Sequence, residues 1–267
     1  MNVRKVRPAA VAALVAVGVA AAGGCGLADA AREPAAAASE APRETLLKSL
    51  PDAKTGSFHF AVEGGEAPAS GDFDAGRRSY RIGFRYREPE AGFTMHSDFL
   101  VVEERTWIRM RFTGTEGLTG LPKLPKKWML IDPAKVENTD EIPLGYDGET
   151  DPGEAGAVLA AIVDVRRTGA GGFAGTTDLT RQGQAEIVDQ ERLAALGARA
   201  RAVPFEATVD GQGRLLSTVV RIPAAGKYKA SEYEVTYSDY GKAPTPTAPA
   251  ADQQQKASKD AYELLNG

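Results

Sequence analysis

The sequence is poor in the residues from which catalytic and disulfide-bonded sites are built. Among 267 residues there are one cysteine and two histidines, and there is no Gly-x-Ser-x-Gly motif. One cysteine cannot form an internal disulfide bond, and a metal site would require spaced His, Cys, Asp or Glu ligands. The acidic loop beginning at Asp147 fails the calcium-binding EF-hand pattern, since Pro152 and Val158 stand where Gly and Glu are required. We therefore expect no catalysis, no cofactor and no metal site.

The chain also lacks an excess of positive charge and a long apolar run, and each absence argues against one class of protein. Acidic residues outnumber basic ones by 36 to 32, and the formal net charge is −4, whereas nucleic-acid binding requires clustered Lys and Arg. The uncharged apolar run from Ala9 to Ala22 has 14 residues, but a membrane-spanning helix needs about 20. We expect no nucleic-acid partner and no spanning helix at this run.

The amino terminus instead has the features of an export signal. Arg4, Lys5 and Arg7 precede the apolar run, which ends in small residues at Ala22-Gly23-Gly24-Cys25. A charged start, an apolar middle and a small-residue end are typical of a secretory signal peptide, here residues 1–24. This ending resembles a lipobox, the site at which bacterial lipoproteins receive a diacylglyceryl group on cysteine.

Cys25 is the only cysteine of the chain and stands where a lipobox requires it. Two acyl chains are sufficient for stable membrane anchoring. We therefore expect a lipid-anchored protein on the extracytoplasmic face of the cell membrane. Its partner there is the membrane itself, into which the diacylglyceryl group on Cys25 inserts. The alternatives are an ordinary cleaved signal, an uncleaved anchor and a cysteine present by chance.

Composition divides the remaining chain into three parts. Residues 25–41, the cysteine and an Ala-rich stretch with scattered charges, are predicted to form a flexible tether. Residues 42–242 are long enough for one domain with a sizeable core. Residues 243–267 begin with several prolines and are predicted to be a Pro-rich linker and a polar tail.

Alternation of apolar and polar residues predicts a mainly β domain. The clearest alternation covers residues 79–87. Further strands are predicted at 57–62, 93–102, 106–112, 127–131, 173–179, 203–209, 215–222 and 228–237. Short connections between successive strands favour antiparallel pairing. Together with a few helices, this pattern predicts an α+β fold.

Three segments have helix signals. Residues 151–167 begin with a capping Asp151 followed by proline and, three residues after the cap, glutamate. Residues 190–196 lie between a capping Asp189 and a terminating glycine. A short helix is predicted over the leucines of residues 46–50, before a proline.

One face of the predicted sheet is apolar and supplies the candidate ligand-binding residues. A sheet that faces few helices either closes into a packed core or keeps an apolar slot, and the sequence leaves both open. The candidate residues for lining a lipid pocket are Phe58, Phe60, Tyr80, Ile82, Phe84, Met95, Phe99, Ile108, Met110 and Phe205.

The opposite faces of two strands carry arginines, with Arg81, Arg85 and Arg87 on one strand and Arg105, Arg109 and Arg111 on the other. One interpretation pairs them across strands with Glu63, Asp98 and Glu103, with Trp107 under arginine stems. The other makes them a docking face for anionic head groups, with Trp107 at head-group depth. Alternation places both histidines, His59 and His96, opposite the large apolar residues.

Several short motifs follow one another in a distinctive order over residues 45–242. They are Lys54-Thr-Gly-Ser-Phe-His-Phe60, Gly71-Asp-Phe-Asp74, Trp128-x-x-Ile-Asp132, Gly175-Thr-Thr-Asp-Leu-Thr180, Val209-Asp-Gly-Gln-Gly213 and Thr236-Tyr-Ser-Asp-Tyr-Gly241. With the lipobox, this order resembles the LppX/LprAFG family of actinobacterial lipoproteins, related in fold to the LolA and LolB carriers. The resemblance implies a strongly curved antiparallel half-barrel, a few helices over its concave face and an apolar cavity for acyl chains. In this chain the stretch at 168–175 is glycine-rich and the loop at 113–126 is long, and we expect both to alter the mouth of such a cavity.

The resemblance implies a cell-envelope lipoprotein that binds or carries a lipid or glycolipid ligand. A different class remains open, namely an envelope sensor or interaction module that uses the same fold without a lipid cargo and contacts another envelope protein. In that case the loops at 113–126 and 138–154 are the expected recognition surface. A hydrolase is the third hypothesis and the weakest, because no nucleophile has a visible base.

Overall fold

The computed structural model describes residues 33–65, 68–139, 142–181 and 187–266, with side chains from residue 41 onward. The predicted signal peptide, Cys25 and the first part of the predicted tether lie outside the described residues. The chain divides into two compact units, Met1–Ala36 and Ala37–Gly267. Of the first unit the structure describes only the start of a helix, from Glu33.

Within the second unit, the described residues form a sheet of 12 strands. In chain order these are β1 (Ser57–Glu63), β2 (Ala69–Asp74), β3 (Ser79–Arg87), β4 (Thr94–Val102), β5 (Arg105–Thr113), β6 (Trp128–Leu130), β7 (Ile162–Arg167), β8 (Gly172–Thr177), β9 (Val203–Val209), β10 (Leu215–Ile222), β11 (Ser231–Ser238) and β12 (Gln254–Lys256). Their order across the sheet is β12-β6-β5-β4-β3-β2-β1-β11-β10-β9-β8-β7. All neighbouring pairs are antiparallel except β12 with β6. The protein is a mixed α+β protein with a curved, open and mostly antiparallel sheet, which confirms the predicted class at this level.

Strand prediction was most accurate where alternation is regular. The observed bounds of β3, β9 and β10 are those predicted. The structure adds β2, β7 and β12, which alternation did not predict. β2 contains one large apolar residue, Phe73, and β12 has only three residues, so neither has a clear local pattern.

The α-helices of the described residues are α1 (Glu33–Ser49), α2 (Ala155–Ala160), α3 (Gln190–Leu196) and α4 (Lys259–Leu265). α3 is confirmed as predicted, since the Asp189 side chain accepts a hydrogen bond from the Arg192 N–H and Gly197 has a positive φ of 56°. α1 is longer than predicted. It begins within the predicted tether and continues through Pro42.

The helix predicted over residues 151–167 is wrong at both ends. α2 begins only at Ala155, and the following residues form β7, antiparallel to β8. Glu154, predicted inside the first turn, is the N-cap with a left-handed φ of 55°. Asp151 still caps the helix from a distance, because its Oδ2 accepts a hydrogen bond from the Gly156 N–H at 2.6 Å. The β-branched residues of β7 favour a strand, and pairing with β8 outweighs the local helix signals.

The register defines two faces of the sheet. We call the face that carries Phe58 and Ile108 the apolar face, and the one that carries Arg81 and Arg109 the polar face. The apolar face supports two buried clusters. The first combines Phe58, Phe60 and Phe205 with Val158 and Leu159 of α2. The second combines Phe99, Ile108, Met110 and Met129 with Ala261 of α4.

The C-terminal segment (residues 243–266), which the sequence predicts as a linker and a polar tail, belongs to the domain. β12 lies in this segment and pairs in parallel with β6. Thr245 Oγ1 donates a hydrogen bond to Asp74 Oδ2 at 2.9 Å, and Trp107 Nε1 donates one to Gln254 Oε1 at 2.8 Å. Because Asp74 and Trp107 lie on the polar face, the C-terminal segment crosses that face.

Candidate functional site

The predicted lipid-pocket residues all lie on the apolar face, but they differ in exposure. Phe58, Phe60, Phe99, Ile108, Met110 and Phe205 are buried. Tyr80, Ile82, Phe84 and Met95 are half-buried. The candidates therefore divide between a closed core and a partly open region towards the ends of β3, β4 and β5.

Aromatic side chains fill the apolar face over β1, β2 and β3. The ring centroid of Phe73 lies 5.4 Å from that of Phe58 and 5.4 Å from that of Tyr80. Tyr146 continues this row at 6.5 Å from Tyr80, and Tyr237 of β11 lies 5.8 Å from Phe58. Ring pairs at these distances stabilise a core beyond their area of contact. This part of the face is a packed core and not a slot.

A groove opens beside the second half of β5. It has a volume of about 610 Å³ and is lined by Arg109, Met110, Arg111, Phe112, Thr115, Leu121, Pro122, Leu124, Pro125 and Lys126. We call it the β5 groove. Its volume lies within the range of roughly 300–1,000 Å³ that small-molecule sites occupy. Met110 is the predicted candidate that lines it.

The β5 groove exists because β6 is short. β6 pairs with β5 at only two positions, Trp107 and Ile108. On that side, residues 109–113 have no strand partner within the described ranges. The loop at 114–127 leaves the sheet there and supplies Leu121 and its neighbours to the groove. The sequence indicated this loop as a cavity mouth but did not identify its apolar residues as lining.

Cationic side chains border the apolar lining of the β5 groove. Arg109 is held in place, since its Nη2 lies 3.3 Å from Asp98 Oδ2 and its guanidinium 4.6 Å from the Trp128 ring centroid. Arg111 has a longer contact, 3.5 Å to the His96 ring. Lys126 is exposed and has no hydrogen bond or ion pair with any residue that the structure describes. The groove thus combines an apolar lining with free positive charge.

The two arginine rows lie on the polar face, separated by β4. Asp98 of β4 lies between them, 3.0 Å from Arg81 and 3.3 Å from Arg109. The predicted pairing through Asp98 is therefore confirmed. The other predicted carboxylates, Glu63 and Glu103, form no ion pair with described residues.

Trp107 does not have the exposed position that a head-group contact requires. It is 0 % exposed, and the C-terminal segment covers it through Gln254. The prediction of a head-group position for Trp107 is wrong, because residues 147 positions away along the chain bury its indole ring. The guanidinium of Arg105 lies 5.0 Å from the Trp107 ring centroid, as the first interpretation predicted.

A second depression, which we call the polar cleft, lies on the polar face. It has a volume of about 310 Å³ and is lined by His59, Ser70, Gly71, Asp72, Arg81, Gly83, Phe84, Arg85, His96, Asp98 and Arg111. Gly83 keeps its floor open, since a Cβ atom there would lie 3.1 Å from Asp98 Oδ1. His59 Nδ1 lies 2.9 Å from Asp72 Oδ1. Both histidines lie on the polar face, as alternation predicted.

His96 stands between two arginines at one end of the polar cleft. It is opposite Arg85 on β3 and Arg111 on β5. Its Nε2 lies 3.0 Å from Thr113 Oγ1 and its Nδ1 3.5 Å from Arg111 Nη2. Partial burial lowers the pKa of His96, and repulsion from Arg111 and Arg85 lowers it further. The pKa of His96 is therefore below its ordinary value, and sequence reasoning gave this residue no role.

Two acidic side chains, the half-buried Asp151 and the more exposed Glu154, lie beside α2. Burial raises the pKa of Asp151, although hydrogen bonds from the Tyr237 hydroxyl and the Gly156 N–H oppose the rise. Burial also raises the pKa of Glu154, and repulsion from Glu149 and Asp151 adds to it. Across the described ranges, no group of three or more His, Cys, Asp or Glu side chains is arranged to hold a metal ion.

No protein-family model matches this chain, and a search of curated proteins finds no match either. No helix in the described part of the chain is long and apolar enough to cross a membrane. Function must therefore be inferred from the β5 groove, the polar cleft and the sequence of the amino terminus.

Proposed function

We propose that this protein is a lipoprotein, anchored through a diacylglyceryl group on Cys25 to the extracytoplasmic face of the cell membrane, that binds an acyl chain of a lipid or glycolipid without catalysis. The β5 groove is the observation that carries this proposal. In this proposal the curved sheet is the half-barrel that the motif order implies, with helices over its concave face.

The chemistry of the β5 groove suits an acyl chain. Met110, Phe112 and Leu121 give it apolar walls, and the last two are only half-buried. A bound acyl chain would remove this surface from water, which contributes about 25 cal/mol per Å² of apolar area. Arg111 and Lys126 stand at the border, where a carboxylate or phosphate of the same lipid would remain hydrated.

The proposed acyl-chain site does not lie at the centre of the sheet, where the candidate residues cluster. Phe58, Phe60 and Phe205 are each at most 1 % exposed, and the ring contacts around Phe58 leave them as core residues. We place the acyl chain at the sheet edge, along the unpaired half of β5.

Lipid binding by paired variants tests this proposal. Leu121→Asp places a charge on the groove wall, and we expect it to weaken binding of a fluorescent fatty-acid analogue at least about tenfold, which corresponds to roughly 1.4 kcal/mol. Leu118→Asp is the matched control, because Leu118 belongs to the same loop, is 37 % exposed and does not line the groove. Equal effects of the two variants, or no co-purifying lipid by mass spectrometry together with no uptake of the probe, would overturn the proposal.

The packed centre of the sheet supports a second candidate function. If the fold holds no lipid, it serves as an envelope sensor or interaction module whose recognition surface is formed by the loops at 113–126 and 138–154. Photo-crosslinking in cells from position 119, an exposed residue of the same loop, would then give one dominant protein partner. Retention of that partner by Leu121→Asp, together with its loss in Leu118→Asp, would favour this function over lipid binding.

A further inference from the structure

One row of the polar face carries positive charge that none of the described residues neutralises. Arg85, His96 and Arg111 are direct cross-strand neighbours on β3, β4 and β5. Side chains in such positions lie about 5 Å apart at Cβ, and like charges there are destabilising. Among the described residues Arg85 has no ion-pair partner, and the polar contact of Arg111 is the His96 ring at 3.5 Å.

In the neighbouring rows of the same face, carboxylates contact the basic side chains. In the next row, Asp98 lies 3.0 Å from Arg81 and 3.3 Å from Arg109, so one carboxylate serves two arginines. Beyond it, Asp72 Oδ1 contacts His59 Nδ1 at 2.9 Å. The carboxylates of the polar cleft are thus already engaged, and no described carboxylate forms an ion pair with Arg85 or Arg111.

The polar cleft has room for an anion beside this row. Its volume is about 310 Å³, and Gly83 places no side chain on its floor. Its lining contains three arginines and two aspartates, so its formal charge without the histidines is +1. The positive charge is concentrated at the end formed by Arg85 and Arg111, since Arg81 is paired with Asp98.

We propose that Arg85, His96 and Arg111 bind a phosphate group in the polar cleft. Arginine presents a planar fork of N–H donors that matches phosphate oxygens, and two arginines on neighbouring strands can contact one phosphate from both sides. His96 Nδ1 and Arg111 Nη2 are 3.5 Å apart, so one phosphate can accept hydrogen bonds from both when Nδ1 carries a hydrogen. This site goes beyond acyl-chain binding, because Arg85, His96 and the cleft floor do not belong to the β5 groove.

Phosphate binding should strengthen as pH falls. Protonation gives His96 Nδ1 a hydrogen and turns it from an acceptor into a donor. The groups that face His96 are Arg85 from β3, Arg111 and Thr113 from β5, and Asp98 from its own strand. The arginines disfavour the protonated ring, and Asp98 favours it. A phosphate between ring and arginines would offset the repulsion and raise the pKa of His96.

Histidine NMR measures this effect directly, because the chain contains two histidines and His59 serves as a reference. The full chain carrying Cys25→Ser is titrated with inorganic phosphate at constant ionic strength. We expect the pKa of His96 to rise by about one unit, as an opposite charge at close range produces, and the NMR signals of His59 to respond much less. An equal response to chloride, or equal shifts of both histidines, would overturn the proposal.

Arg85→Gln is the decisive variant, because Arg85 lines the polar cleft but not the β5 groove. It should weaken phosphate binding at least about fivefold. Arg87→Gln removes the same charge from the same face of β3 outside the cleft and should leave binding unchanged. Leu121→Asp should retain the His96 response while losing lipid binding, so failure of this proposal and of the proposed function are distinguishable. Identical phosphate affinity in Arg85→Gln and the parent chain would contradict the assignment.

Vesicles distinguish the two sources of a phosphate group. Preference for phosphatidic acid vesicles over fatty-acid vesicles of equal surface charge, lost in Arg85→Gln, would support a lipid head group as the ligand. A His96 response to inorganic phosphate or glycerol phosphate without that preference would support a soluble phosphate. If neither probe moves the His96 signal, no phosphate site exists here.

Discussion

Deleting residues 243–267 should destabilise the domain strongly, although their composition is that of a linker and a polar tail. The C-terminal segment covers Trp107, which is 0 % exposed, and accepts its indole hydrogen bond through Gln254. It also holds Asp74 through Thr245 and supplies α4 to the second cluster. A dispensable tail would make none of these contacts.

The expected loss in the free energy of unfolding is the sum of the separate contacts. Exposing the Trp107 side chain costs about 2 kcal/mol, and the lost hydrogen bonds of Thr245 with Asp74 and of Gln254 with Trp107 cost about 1 kcal/mol each. Loss of Tyr262 and Leu265 from the second cluster adds roughly 1 kcal/mol. The expected loss is about 5 kcal/mol, which is comparable with the whole stability of a domain near the lower end of the usual range of about 5–15 kcal/mol.

Urea unfolding followed by circular dichroism and tryptophan fluorescence measures this loss. At a slope of about 2–3 kcal/mol per M, the midpoint should fall by roughly 2 M, and the tryptophan emission should shift to longer wavelength in the native state. Gln254→Ala should show a smaller loss of about 1 kcal/mol, whereas Lys256→Ala, at an exposed position in the same strand, should show none. A truncated chain with an unchanged midpoint and emission maximum would show that the C-terminal segment does not stabilise the domain.

Two further predictions concern lipidation and pH. Replacing Cys25 with Ala or Ser should abolish acylation and remove the protein from the membrane fraction, and metabolic labelling with a palmitate analogue that still marks Cys25→Ala would exclude the lipobox. Burial raises the pKa of Asp151, so the native state keeps a proton that the unfolded chain loses above about pH 4. The retained proton stabilises the native state, and this contribution to the free energy of unfolding disappears as pH rises through the native pKa. Urea midpoints from pH 4 upward should therefore fall less steeply in Asp151→Asn than in the parent chain, and parallel curves would contradict the assignment.

Local patterns predicted the regular strands because burial on one face imposes a period of two. β3 alternates over its whole length, and its observed bounds are those predicted. β2 has the sequence Ala69-Ser-Gly-Asp-Phe-Asp74 and pairs with both β1 and β3. Its neighbours on both sides, and not its own composition, make it a strand.

Non-local pairing also explains the elements that local signals misplaced. Asp151 and the residues after it carry a capping box, yet the chain forms only a short α2 before β7 pairs with β8. β12 is a strand only because it reaches β6, more than a hundred residues earlier in the chain. No periodicity within three residues can predict that contact.

The candidate site was predictable in part for the same reason. Alternation separated Met110 from Arg111 on β5 and both histidines from the apolar residues. The position of His96 between Arg85 and Arg111 is set by the register of three strands, which the sequence does not contain as a local signal. Leu121 lies in a loop without periodicity, so its place in the β5 groove is determined only by where that loop meets the sheet.

The β5 groove and the polar cleft meet at the unpaired half of β5 for a geometric reason. Alternation sends Met110 to the apolar face and Arg111 to the polar face. Where β6 ends, no neighbouring strand within the described residues separates the two faces, so Arg111 lines both the groove and the cleft. A lipid with its acyl chain in the groove would thus carry a phosphate around the sheet edge towards Arg111 and Arg85. If the groove and the cleft form one continuous site for an amphiphile, Arg85→Gln should weaken the binding of a phosphate-bearing lipid but not that of a fatty acid. If they are two independent sites, Arg85→Gln should weaken the binding of neither lipid and should affect the binding of inorganic phosphate alone.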